Sequence, residues 1–180
     1  LIAEISDTHA NIWSRDSALE NYFGKNMVPI EINFIENKPV IVRLFKELST
    51  DSKLSVGDVI LSINGVNVDS LIKEKIRFCP ASNHSTKLRD VASKIIRTNS
   101  DSLDLTIENN KGIHHELVKT VSYLKINYWK KEIPAHKELS SDIGYIYPAS
   151  LGYGAINNIM DSYINKKGVI IDLRCYPSDF

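Results

Sequence analysis

Asp7, Thr8 and His9 place an acid, a hydroxyl and an imidazole within three residues near the start of the chain. A serine hydroxyl is a weak nucleophile until an imidazole accepts its proton, and the imidazole must itself be held by a third group. A histidine on a loop or a strand end is more often solvated or hydrogen-bonded than catalytic. The residue types alone therefore leave both interpretations of His9 open.

Two other groups of titratable residues favour structural roles. His114 and His115 are neighbours in a predicted strand, where successive side chains face opposite sides and cannot easily share a metal ion. We predict no metal site and no cofactor. Asp172 and Arg174 follow an apolar run, where a carboxylate more often satisfies backbone donors or an arginine than takes part in catalysis.

The composition is that of a globular protein without strong charge. The 180 residues fit one domain with an attachment, or two small domains. Lys+Arg and Asp+Glu each number 22, so no global field would attract nucleic acid or an anionic membrane. No run approaches the ~20 apolar residues of a membrane span.

The chain starts at Leu1 without a signal peptide pattern, so we expect the native N-terminus upstream. Cys79 and Cys175 have no zinc spacing, which favours free thiols and leaves one disulfide open.

Alternating apolar residues predict paired strands in the first two thirds of the chain. A turn at residues 36–38 indicates a hairpin, and Asn64-Gly65 is typical of a tight turn because both residues tolerate positive φ. The predicted strands are residues 28–34, 40–44, 59–63, 66–68, 103–107 and 115–121.

A helical stripe separates these strands into two groups. Apolar residues from Leu88 to Ile96 recur at helical spacing, which predicts an amphipathic helix that starts at Ser85 or Thr86 and ends near Asn99. The preceding segment, residues 69–83, carries basic residues that we expect on a solvated face: Lys73, Lys75 and Arg77.

A change of pattern marks the last third. A polar connector leads to a predicted strand at 143–147, a helix at 155–164 and a strand at 168–173. Strand, helix and strand at this spacing suggest a βαβ unit with a buried parallel pair. Such a unit leaves a sheet face and an edge uncovered, so we expect the chain to stop inside a domain.

Residues 54–68 read LSVGDVILSINGVNV. This segment resembles the "GDxIxxINGxxV" pattern of PDZ domains, and the order of the elements looks like the circularly permuted PDZ of bacterial proteases. The resemblance implies an α+β fold, in which a permuted, β-rich PDZ-like domain with one main helix precedes an incomplete α/β piece. The domains we expect are an N-terminal segment 1–22, the PDZ-like domain 23–124, a connector 125–141 and the truncated start of a catalytic domain 142–180.

The flanking segments resemble tail-specific (C-terminal-processing) serine proteases. Residues 143–146 and 168–174 are similar to the start of that family's catalytic domain, and residues 5–10 are similar to its Asp-x-His segment before the PDZ. In the tricorn-like branch this His, next to a Ser, belongs to the catalytic group. The resemblance implies that His9 is the base, with Thr8 at the Ser position. In the other branch a lysine is the base, so both mechanisms stay open.

The same resemblance implies a peptide site. An extended peptide would add to the strand at 28–35 beside the main helix, with its C-terminal carboxylate at the loop before the strand. The partners implied are proteins or peptides with a free C-terminus, in the bacterial periplasm or outside the cell. The predicted peptide-binding residues are Phe23, Gly24, Lys25, Ile30, Ile32, Leu88 and Val91.

Two departures from the family keep the enzymatic assignment open. The family's nucleophilic serine lies downstream of the strand at 168–173, so we expect these 180 residues alone to be inactive. Residues 175–179 also lack the glycines that the family has near its oxyanion site. One hypothesis is the PDZ portion of a protease, and the other is a non-catalytic peptide-binding module of a degenerate relative. A scaffolding PDZ unrelated to proteolysis would leave the βαβ end unexplained.

Overall fold

The computed structural model of the protein describes residues 2–11, 17–48, 52–128 and 133–178. The chain divides into two compact units, Leu1–Ile126 and Asn127–Phe180. Helices and strands are mixed and strands dominate, which confirms the predicted α+β class. Within the described ranges, no helix is both long enough and apolar enough to cross a membrane.

The first unit is built mainly of strands, with helices at its start and before β6. Its helices are α1 (Ser17–Phe23), α2 (Val68–Lys75) and α3 (His84–Ile95), with short 3-10 helices at Ile2–Ile5, Ile76–Phe78 and Tyr123–Lys125. Its strands are β1 (Asn26–Met27), β2 (Ile30–Ile35), β3 (Lys38–Leu44), β4 (Val59–Ile63), β5 (Val66–Asn67), β6 (Arg97–Thr98), β7 (Ser102–Asn109), β8 (Gly112–Lys119) and β9 (Val121–Ser122).

The main sheet has the strand order β2-β3-β4-β7-β8, and β5 pairs with β4. Both predicted turns are confirmed. Glu36 and Asn37 adopt φ values of 52° and 63° between β2 and β3, and Asn64 and Gly65 adopt 50° and 75° between β4 and β5. Backbone at positive φ has the twist that antiparallel hairpins need, which explains why these residue types stand there.

The core of this unit forms where α3 packs against β2 and the sheet. The apolar stripe of α3 is buried as predicted, and it packs against β2. Burial of each such side chain contributes about 1.5–3 kcal/mol, so this face accounts for much of the unit's stability.

The helix bounds differ from the prediction at both ends. The cap is Asn83, whose side-chain oxygen accepts the backbone N–H of Thr86 at 2.8 Å, so α3 starts earlier. The last predicted turn is instead β6, which pairs with β1. Residues 69–83, for which we predicted no element, contain most of α2 and a 3-10 helix, and Asn67 caps α2 by accepting the Asp69 N–H.

Gly24 joins α1 to the sheet. Its N–H donates to the Glu20 carbonyl at the end of α1, and its φ of +106° favours glycine. A Cβ at this position would lie 2.3–2.5 Å from backbone atoms of Thr98 in β6. The chain can therefore approach β6 this closely only with glycine at position 24.

The second unit contains the predicted strand, helix and strand. Its elements are β10 (His136–Glu138), β11 (Ile143–Ile146), a 3-10 helix (Pro148–Ser150), α4 (Ala155–Ser162) and β12 (Gly168–Ile171). The parallel pairing of β11 with β12 is confirmed. Pairing of β10 with β11 was not predicted, because all three residues of β10 are exposed and show no apolar alternation. The prediction that β12 is buried is wrong in part, since Ile170 and Ile171 are about half exposed.

Asp172 follows β12 as a satisfied structural carboxylate. Its oxygens accept the Tyr145 hydroxyl at 2.7 Å, two guanidinium N–H groups of Arg174 at 2.6 and 2.8 Å, and the Arg174 backbone N–H at 3.1 Å. The bonds from the Arg174 side chain, then that from Tyr145, hold the pKa of this carboxyl well below its usual range. This geometry matches the structural role expected from the sequence.

We expect Gly24→Ala to destabilise the first unit by about 2–6 kcal/mol, because backbone strain of ~1–3 kcal/mol adds to overpacking of ~1–3 kcal/mol. Gly57→Ala is the matched control, since Gly57 has a similar φ of +99° but open space around it. Urea unfolding of the full chain measures both. Equal losses in the two variants would contradict the close approach to Thr98.

We expect the second unit to lose stability as the pH falls below about 4, the usual value for an unfolded aspartate. The Asp172 pKa is depressed in the fold, so its contribution is present above the unfolded value and disappears on protonation. Hydrogen exchange of the β11 and β12 amides measures this loss. Asp172→Asn should weaken the pH dependence. Asp161→Asn, at an exposed carboxylate on α4, should leave the pH dependence intact. The reverse result would contradict the assignment to Asp172.

Candidate functional site

Asp7 and His9 form a hydrogen-bonded pair on the surface of the first unit. Asp7 Oδ1 accepts the His9 backbone N–H at 2.8 Å and lies 3.0 Å from His9 Nδ1. A tight turn holds the segment, because the Ala10 N–H donates to the Asp7 carbonyl at 3.0 Å. The spacing of two residues thus lets one carboxylate bind both the backbone and the ring of His9.

The electrostatics of the pair fit an orienting carboxylate. The His9 backbone bond, followed by the bond to the ring, lowers the pKa of Asp7, so that Asp7 is ionised at neutral pH. An ionised carboxylate at Nδ1 favours the tautomer with hydrogen on Nδ1, which leaves Nε2 as the basic atom. The side chains of His9 and Asp7 are 98% and 61% exposed. Among the described residues, no side chain excludes water from the pair.

Thr8 lies between these two residues and is half-buried. Among the described residues its hydroxyl makes no hydrogen bond that would give it a part in proton transfer. The catalytic assignments of His9 and Thr8 both stay predictions.

The predicted carboxylate-binding loop is occupied by the protein's own groups. The Gly24 N–H donates to Glu20, and the Lys25 N–H donates to Asn99 Oδ1 at 3.1 Å. The Gly24 carbonyl accepts the guanidinium of Arg97, with Nε at 2.8 Å. A peptide carboxylate would have to displace these partners, so the loop is not an open anion site in this structure.

The four apolar residues assigned to the peptide groove lie in the core. Ile30 and Ile32 on β2, and Leu88 and Val91 on α3, are all buried. Because α3 packs against β2, their side chains contact the interior of the unit. In this structure they stabilise the fold, and of the four only Ile30 lines a described cavity, which has a volume of about 750 Å³.

Of the three basic residues expected on a solvated face, Lys73 is exposed, whereas Lys75 and Arg77 lie against aromatic rings. Lys75 Nζ lies 5.6 and 5.7 Å from the ring centres of Tyr22 and Phe23, and the Arg77 guanidinium carbon lies 4.8 Å from that of Phe78. The three rings contact one another edge to face. Burial lowers the pKa of Lys75. Such cation–π contacts contribute ~0.5–1 kcal/mol each at exposed sites.

A cavity of about 840 Å³ opens beside this cluster, within the first unit. Phe23, Phe78 and Tyr123 supply its aromatic wall, and Lys94 and Arg97 its basic side. Lys94 Nζ donates to the Phe78 carbonyl at 3.1 Å, and the Arg97 guanidinium carbon lies 3.9 Å from the Tyr123 ring centre. Of the predicted peptide-binding residues, only Phe23 lines this cavity.

The cavity has more positive than negative side chains. Arg77, Lys94 and Arg97 line it together with Glu4 and Glu20. This arrangement suits a ligand with an apolar body and one negative charge. Sequence reasoning missed it, although the basic and aromatic residues at 75–78 were a usable signal.

Neither a metal site nor a disulfide is evident in the described part of the chain. No cluster of three or more His, Cys, Asp or Glu residues there could hold a metal ion. Cys79 and Cys175 are free thiols. Cys79 is buried, and this burial raises its pKa.

The comparisons with known proteins show a shared fold. No family model matches the sequence, and no curated protein matches it. Mature CPAF complexed with lactacystin is similar with a TM-score of 0.53 and 15% identity, covering 82% of this chain and 40% of that chain. Mature CPAF gives a TM-score of 0.51 and 16% identity, over 82% and 40%. CPAF is a serine protease of the tail-specific protease-like type.

A PDZ domain protein from Parabacteroides distasonis is 15% identical over 83% of this chain and 39% of that chain, but its TM-score of 0.39 is too low to carry an argument. The chain spans about 40% of the length of the CPAF chains that it matches. At these identities the likeness shows a fold shared with that part of the mature CPAF chains and nothing finer.

Proposed function

We propose that residues 1–180 form the N-terminal, PDZ-like portion of a tail-specific serine endopeptidase of the tricorn-like branch, with His9 as general base. The observation that carries this proposal is the Asp7–His9 pair, in which a carboxylate bonded at Nδ1 leaves Nε2 to accept a proton. The fold shared with CPAF supports it. The proposal includes a location in the bacterial periplasm or outside the cell.

The reaction would use a serine outside these 180 residues. Its hydroxyl proton passes to His9 Nε2 while its oxygen attacks the peptide carbonyl, and the imidazolium then returns the proton to the leaving amine as the C–N bond breaks. Asp7 acts as a positioning residue that stabilises the imidazolium. Closure of water-exposed His9 by the remainder of the enzyme would strengthen this interaction.

The peptide-binding part of the proposal rests on the cavity. Because the loop donors are used, we assign the peptide C-terminus to the cavity beside Phe23, which has an aromatic wall and three cations. A second cavity of the unit, about 750 Å³ in volume and lined by Ile30, has two cations, Arg43 and Lys46. The aromatic wall of the cavity beside Phe23 suits a bulky apolar last side chain, and Arg77, Lys94 and Arg97 suit the carboxylate. Peptide recognition would then present a substrate's C-terminal region to the protease.

The alternative is a non-catalytic peptide-binding module. The sequence of residues 175–179 favours it, because it contains none of the glycines that the family has near its oxyanion site. The two functions differ in whether the complete polypeptide hydrolyses substrate.

We expect His9→Ala to lower kcat at least about 100-fold in the polypeptide encoded by the complete reading frame that contains residues 1–180. Hydrolysis of an unstructured protein substrate measures it, with circular dichroism as the folding check. Asp7→Asn should lower kcat with little change in KM, because it removes orientation of the ring. His84→Ala, at another exposed histidine, is the matched control.

Activity that survives His9→Ala would contradict the Ser/His mechanism and favour a lysine base. A polypeptide without activity in either form would favour the peptide-binding module.

We expect peptides that end in a bulky apolar residue with a free carboxylate to bind at least about tenfold more tightly than their C-terminal amides, because the ionic hydrogen bond is lost with the amide. Calorimetry on the 180-residue chain measures both affinities. Arg77→Gln should reduce the preference for the free acid, while Lys73→Gln, at an exposed cation on α2, should retain it. Equal affinity for acid and amide would exclude the cavity as a carboxylate site.

A further inference from the structure

β8 is an open edge of the main sheet. It pairs with β7 and with no other strand of the described chain, and the register from Ser102↔Lys119 to Asn109↔Gly112 is unbroken over all eight residues. β8 itself contains no proline and no bulge, the devices that protect many edge strands from pairing. A second strand can therefore add along its full length.

The hydrogen bonds around β7 show which backbone groups of β8 point away from the sheet. Thr120 N–H donates to the Asp101 carbonyl at 2.9 Å, and Asn64 N–H donates to the Asp104 carbonyl, on the β4 side of β7, at 2.7 Å. Because bonded and non-bonded pairs alternate along antiparallel strands, both bonds assign the even-numbered residues of β8 to the ladder with β7. The outward N–H and C=O groups then belong to Ile113, His115, Leu117 and Lys119.

The side chains of this edge form an exposed stripe. Ile113 and Leu117 are 63% and 70% exposed, and the His115 side chain between them is 71% exposed. All three lie on one face of β8, opposite the face of buried Val118. Two large apolar residues on an unpaired edge indicate a contact surface.

We propose that this edge pairs with β8 of a second copy of the chain, antiparallel, with a two-fold axis at His115. That register places Ile113 of each copy opposite Leu117 of the other. It also lets the outward N–H and C=O groups of the two strands form hydrogen bonds with each other. The same register places His114 opposite Glu116, whose Oε1 accepts the Lys53 backbone N–H of its own chain at 2.9 Å. The strand is thus complementary to itself in apolar contacts and in backbone hydrogen bonds.

A second copy fits this edge better than an arbitrary strand, because shifting the register by two residues in either direction removes the Ile113–Leu117 contact. The area is small, with two such contacts per dimer, so we expect a Kd on the order of 10–100 µM. Lys111 and Lys119 face each other at the ends in this register, which limits affinity further.

Sedimentation velocity of the 180-residue chain across a concentration series tests the association. We expect reversible dimers, and we expect Leu117→Lys to weaken the dimer at least about tenfold by placing a charge against Ile113. Leu124→Lys is the matched control in the same unit, since Leu124 is also exposed but lies off the edge. Thermal unfolding checks that both variants are folded.

Cysteine cross-linking tests the register in a Cys175→Ser background, since Cys79 is buried. His115→Cys should form a disulfide with itself, because paired Cα atoms at the axis are ~5.5 Å apart. Ile113→Cys alone should not, because its copies lie roughly 14 Å apart along the strands. Mixed Ile113→Cys and Leu117→Cys chains should cross-link to each other.

Dimers that weaken with Leu117→Lys and cross-link through His115→Cys support the proposal. A monomer at all concentrations overturns it, and so does a dimer that responds to Leu173→Lys in the second unit rather than to Leu117→Lys. A dimer that cross-links through Ile113→Cys alone overturns the proposed register.

Discussion

The contact between the Gly24 and Thr98 backbones holds the start of the chain to the sheet. No side chain fits between them, so α1 ends directly against β6, and β1 is fixed between β6 and β9. Because the chain is so close, the N–H groups of Gly24 and Lys25 find partners within the protein. The loop at Gly24 and Lys25, which would be open to an anion in a PDZ-like arrangement, is closed here by hydrogen bonds within the protein.

The packing of α3 on β2 likewise closes the predicted peptide groove between them. Four apolar side chains that could line an open groove gain more free energy from mutual burial than from exposure to water. Separation of α3 from β2 would expose all of them at once, so a weakly bound peptide cannot drive it. At the edge of the unit, by contrast, cations lie over aromatic rings, which is why the proposed peptide site is placed there.

The hydrogen bonds of the Asp7–His9 pair are set by neighbouring residues, whereas any catalytic role of the pair depends on the groups that would enclose it. A carboxylate two residues before a histidine can reach its ring and its N–H within one turn, which defines the basic nitrogen. In water the interaction is screened, and the pair alone contributes little to catalysis. A protease needs the pair to be enclosed and placed against a serine.

By itself the sequence determined the features that rest on short-range patterns. The hairpin turns, the apolar stripe of α3, the parallel β11–β12 pair and the Asp-x-His spacing were all predictable, because neighbouring residues set backbone conformation and reach. It could not show that Gly24 lies against Thr98, that residues 88 and 91 are buried against β2, or that Arg77 and Lys94 line one cavity with Tyr123. Only the tertiary structure decided these contacts, because each of them joins residues that are far apart in the chain. Which distant residues become neighbours depends on how the whole unit packs and on which hydrogen-bond partners that packing brings within reach.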